Sequence, residues 1–115
     1  MGMDVIGHKP TAPEGAYFGV TLFAWGRLAA FILNVAAEEA QPCKHWFSND
    51  WDGLNAIETE RLADRLDREL ASGAIDRLLA AMRSEPEYAE ICSVVDTLLP
   101  AFLHFLRYCG GFWIS

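Results

Sequence analysis

Cys43 and His45 place a thiol and an imidazole two residues apart, and His104 with Cys109 places a second such pair near the other end of the chain. Four soft ligands of this kind could hold zinc, but neither spacing is the Cys-x-x-Cys or His-x3-His unit that closes a zinc site. On an ideal helix residues 104 and 109 point about 140° apart. Cys43 and His45 are also the one pairing that could make an activated nucleophile. Cys43, however, follows the end of a predicted helix, whereas a helix N-terminus is what lowers a thiol's pKa. The four residues therefore read as buried thiols and partly exposed histidines, and no metal or other cofactor is expected.

The run Ser48-Asn49-Asp50-Trp51-Asp52-Gly53 puts Asp50, Asp52 and Gly53 at the third, fifth and sixth places of a calcium loop. The first place would be Ser48 and the twelfth Thr59, so both dominant carboxylates are missing. A turn whose Asn and Asp side chains cap nearby amides is the reading that remains. The sequence holds no glycine-rich phosphate loop, no Gly-x-Ser-x-Gly elbow and no His-Glu-x-x-His helix, and a non-enzymatic protein is expected. Four tryptophans, Trp25, Trp46, Trp51 and Trp113, join Phe47 and Phe112 in an aromatic group that a small domain cannot bury completely. Trp46, Trp51 and Trp113 are the candidates for a face that binds a protein partner or a second copy of the chain.

Those side chains need a scaffold. A chain of 115 residues fits one domain and can bury roughly two thirds of its unfolded surface without staples. Hydrophobic residues make up 52% and charged residues 22%, a composition that folds. The formal net charge of -7 repels phosphate backbones, so no nucleic-acid partner is expected. Three cysteines and a start with neither a charged nor an apolar leader region predict a reduced, cytoplasmic protein. The apolar stretch at residues 16–37 is interrupted by Arg27, and no basic residues flank it closely, so a buried helix is expected there and no membrane span.

Apolar spacing predicts a helix from Tyr17 or Phe18 to Ala40, closed by Gln41-Pro42. Residues 43–54 read as a loop with aromatic anchors. Asn55 with Glu58 forms a capping box that opens a second helix, stopped by Gly73. Ile75, Leu78, Leu79 and Met82 predict a short third helix, continuous with the second or kinked from it. Ser84 with Glu87 repeats the capping box and predicts a long last helix from about Glu85, bent at Pro100 and ended by Gly110-Gly111. Phe112-Trp113-Ile114 could form a strand beside Val5-Ile6. The expected fold is mainly α, a compact bundle of about four helices, with a small two-stranded ribbon joining the chain ends as its one β element.

Met3-Asp4-Val5, Gly7, Pro10-Thr11, Gly15, Tyr17-Phe18, Trp25 and Arg27 set the opening pattern. With Asn49-Asp50, Asp52-Gly53-Leu54, Leu62-Ala63, Leu66 and the closing Phe105-Leu106-Arg107, Gly110-Gly111-Phe112 and Ile114, the chain resembles a group of small uncharacterised bacterial and prophage proteins. Longer members carry an insert with paired cysteines before the last helix; this chain lacks it, so any metal role of that insert does not carry over. The resemblance implies a shared fold and marks Asp4, Tyr17, Trp25, Arg27, Asn49, Asp50 and Asp52 as candidates for one polar cluster. Arg27 would be its cation, structural if buried against Asp50 or Asp52, a ligand site if open to a cleft. An interaction or accessory domain is the first expectation; a small-molecule binding or hydrolytic domain using Arg27 and the loop from Asn49 to Asp52 is the alternative.

Overall fold

The computed structural model describes residues 2–115. Strand β1 (Gly2–Gly7) buries Met3 and Val5 and turns Gly2 and Asp4 outward, the two-residue period of a half-covered strand. After a 3-10 turn at Pro13–Gly15, β2 (Tyr17–Thr21) runs antiparallel to β1, with Val5 opposite Phe18. Two short strands complete the sheet. β4 (Gly111–Ile114) pairs with the other side of β1, Val5 opposite Ile114, and β3 (Asp52–Asn55) pairs with β4, Leu54 opposite Phe112. The order is β2-β1-β4-β3, with every neighbouring pair antiparallel.

Among the described residues, five helices stand beside this sheet: α1 (Leu22–Val35), α2 (Ala37–Ala40), α3 (Ala56–Ala71), α4 (Ala74–Arg83) and α5 (Ala89–Tyr108). They cover the face that carries Phe18 and Phe112; Phe18 meets Phe102 and Phe105 of α5 at centroid distances of 5.1 and 6.0 Å, and Phe112 meets Phe105 at 6.1 Å. Phe112 also meets Phe102 at 6.3 Å. Each such ring removed from water contributes about 2–3 kcal/mol. The protein is therefore mixed α/β, and the expected all-α, mainly α bundle of about four helices is overturned. The chain ends do pair, but inside a four-stranded sheet and not as an isolated ribbon.

The errors have local causes. Residues 17–21 belong to a strand with Phe18 inward and Tyr17 and Gly19 outward; Thr21 then caps α1, its hydroxyl accepting from the Ala24 amide at 3.1 Å. The apolar run continues unbroken across this junction and hides the change of period. The expected single helix also breaks at Ala36, where φ is -133°. The Asn55–Glu58 capping box forms, with bonds of 2.8 and 2.9 Å. Gly73, at φ 81°, separates α3 from α4 in a left-handed conformation that glycine adopts without steric cost. The second box does not form: the Ser84 hydroxyl donates to Ala81 at the end of α4, Pro86–Tyr88 makes a 3-10 turn, and α5 starts at Ala89. The segment Pro86–Tyr108 is long and apolar enough to cross a membrane by length and composition; α5, which makes up most of it, packs against both α1 and α3.

Candidate interaction face

The helices leave the second face of the sheet uncovered. In one row across it lie Tyr17, Ile6 and Trp113, in register on β2, β1 and β4. In the next row Gly19 pairs with Asp4, and Asp4 exchanges backbone hydrogen bonds with Ser115 at 3.2 and 2.7 Å. Gly19 makes room for an aromatic ring: a Cβ there would come within 2.3 to 2.7 Å of the Tyr17 side chain, which lies back along its own strand. The Tyr17 hydroxyl donates to Asp4 Oδ1, and this bond raises the phenol's pKa. Among the described residues, the four strands contain two carboxylates, Asp4 and Asp52, and neither lysine nor arginine.

Trp51 extends the face at the far edge. Its amide donates to the Ile114 carbonyl at 2.8 Å, which holds it just before β3, and its φ of 61° is left-handed, unusual for a bulky residue. The indole is 58% exposed and stands against Trp113, itself 41% exposed, with ring centroids 6.3 Å apart and planes at 66°. His8 also lies against Trp113, with ring centroids 4.0 Å apart. Its Nε2 is buried without a hydrogen-bond partner, and burial lowers the imidazole's pKa against the opposing bond to the Phe112 backbone.

The seven residues expected in one polar cluster fall in separate places. Asp4 and Tyr17 are together on the open face. Trp25 is buried in the core, its Nε1 donating to the Trp46 carbonyl. Arg27, on α1, holds its guanidinium 3.5 Å from the Phe23 ring centre and 3.7 Å from Glu90 of α5. It meets neither Asp50 nor Asp52. Asn49 and Asp50 are exposed in the loop, where Asp50 accepts from the Ser48 hydroxyl at 2.8 Å. Asp52 organises that loop, accepting from the amides of Lys44, His45 and Gly53 and from the His45 ring at 2.8 to 3.1 Å. Burial opposes its ionisation, but the amides of Gly53 and Lys44, then the His45 ring and amide, outweigh this and hold the carboxyl below its ordinary pKa.

Of the three tryptophans expected on an interaction face, Trp51 and Trp113 are exposed and adjacent, whereas Trp46 is buried, its Nε1 donating to Ala40 at 2.9 Å. Trp46 instead stacks on Trp25 in the core at 5.9 Å. Cys43 and Cys109 are also buried, and burial pushes both thiols up to about 11, far from a reactive thiolate at neutral pH. Ile6, His8 and Gly19 belong to the face and were missed. The alternation Asp4, Ile6, His8 is the signal for it, obscured because the apolar run through residues 17–21 hides the partner strand. No family model, curated protein or solved structure matches the chain.

Proposed function

We propose that this is a non-enzymatic interaction domain that binds a protein partner on the helix-free face of its sheet. The observation that carries the reading is the exposed pair Trp51 and Trp113, inclined at 66°, continued across the sheet by Ile6 and Tyr17. Large rigid aromatic side chains supply contact area at little entropic cost and are enriched at interface centres. The partner we propose is basic, because the face carries Asp4 without lysine or arginine on the strands and the chain has a net charge of -7. A cytoplasmic accessory role is the proposed setting, which the three free, buried cysteines suit. The alternative of a small-molecule site required Arg27 beside Asp50 or Asp52, and Arg27 pairs with Glu90 instead.

Photo-cross-linking tests the proposal. With p-benzoylphenylalanine in place of Tyr17, the producing cells should yield one discrete adduct with a second protein. The same label at His104, exposed on α5, should not. Equal adducts from both positions, or none from position 17, would refute the reading; an adduct of the chain with itself would replace the basic partner by a second copy.

A further inference from the structure

We infer that the corner between Trp51 and Trp113 is a seat for a cationic side chain, the guanidinium or ammonium group of a residue presented by the partner. The inference rests on the interaction reading and adds the chemistry of its anchor. Two indoles inclined at 66° with centroids 6.3 Å apart form an open angle in which a cation can lie over one π face while its alkyl stem packs on the other ring. Both rings are held in place. Trp113 is backed by His8 at 4.0 Å, and the Trp51 backbone, left-handed at this point, is anchored by its N–H donating to the Ile114 carbonyl.

Charge complements the rings. Asp4 pairs with Ser115, the residue after β4, and so stands one diagonal step from Trp113, about 7 Å in an antiparallel pair. The Tyr17 hydroxyl steadies one oxygen of the Asp4 carboxylate, and Asp4 is exposed. A cation in the corner therefore meets π density, on a sheet face whose neighbouring strand β1 adds the Asp4 carboxylate and whose strands carry no lysine or arginine. An anionic or purely apolar group would forgo one or both attractions.

The probes are three short peptides, acetyl-Gly-X-Gly-amide with X as arginine, lysine or citrulline, titrated into the intact 15N-labelled chain. The four indole N–H resonances are the readout. Arginine and lysine peptides should shift the Trp51 and Trp113 signals saturably and leave the buried Trp25 and Trp46 signals unmoved, while citrulline, isosteric with arginine but neutral, should produce no shift. Asp4→Asn should weaken the arginine peptide by about fivefold, and Trp51→Gly, which suits a φ of 61°, should abolish its effect on Trp113. A citrulline peptide that binds as well as arginine, unchanged binding to the Trp51→Gly chain, or no saturable shift with either cation would each overturn the inference. If cations fail while the position-17 adduct forms, the interaction face stands and only its anchor chemistry is wrong; if both fail, the face itself is refuted.

Discussion

Replacing Trp51 by glycine and by alanine should reverse the usual order of the two. In most positions glycine is the less stable, by about 0.5–1 kcal/mol, because it frees more of the unfolded chain. At position 51 the backbone sits at φ 61°, where a Cβ costs about 1–2 kcal/mol and glycine has none. The difference favours glycine by about 0.5–1 kcal/mol. Both variants lose the same indole and the same contact with Trp113, so the comparison cancels the side chain and isolates the backbone. With a urea m-value of about 1.5 kcal/mol/M, the glycine chain should unfold at a midpoint about 0.5 M higher. Urea titrations followed by far-UV circular dichroism, with equal m-values as the condition for comparison, decide the matter. An alanine variant equal to or more stable than the glycine one would show that the left-handed conformation carries no cost. Trp51 would then lose its standing as an indole displayed against backbone preference.

Asn55→Ala removes the side-chain acceptor of the Glu58 amide and should cost about 1 kcal/mol, read as a lower thermal midpoint. Asp52→Ala leaves the Lys44, His45 and Gly53 amides without their shared acceptor and should cost about 1–2 kcal/mol at neutral pH. Because the folded state lowers the Asp52 pKa, its contribution is full above the unfolded value of about 3.9 and is lost as pH falls through the folded value. The difference between wild type and Asp52→Ala should therefore narrow in acid. His8 is a base held neutral: its lowered pKa means that stability is full above about pH 6.5 and declines as pH falls toward the folded value. Unfolding curves between pH 7 and 5 should show this decline in the wild type and a smaller one in His8→Gln.

The helical part of the fold was legible where one period ran without interference. Leu62 and Leu66 stand on the inner side of α3, Asn55 and Glu58 cap it, and Gly73 ends it, all by rules that act within a few residues. The sheet was legible only in its middle: Val5-Ile6 pairs with Trp113-Ile114 as their apolar pattern suggests, whereas β2 and β3 were not legible, because they are short and gain their structure from distant partners. Asp52–Asn55 has a single buried residue, Leu54, and becomes a strand only by pairing with Phe112, far along the chain. Tyr17–Thr21 was masked by the helical run that follows it without a polar break. The candidate site suffered from the same cause. Trp51 and Trp113 were named from composition, but the separation of Trp46 from them, and of Arg27 from Asp52, depends on which side of the sheet each residue meets.

Salt distinguishes the two occupants that an exposed aromatic face could have. Each copy of the chain carries a net charge of -7, so two copies meeting face to face bring like charge together, and raising ionic strength should strengthen any self-association. A basic partner meets the same field with the opposite sign, and its affinity should fall as salt rises. At 0.15 M the screening length is about 8 Å, comparable to the diagonal separation of Asp4 from the Trp113 position, so Asp4 still acts on a cation seated there. At 1 M that length is about 3 Å and the carboxylate is largely screened. Sedimentation of the chain alone and titration with the arginine peptide, each at low and high salt, should thus move in opposite directions. Peptide binding insensitive to salt would assign the contact to the indoles alone, and a dimer already formed at low salt would show that apolar burial outweighs the charge argument on which the choice of a basic partner rests.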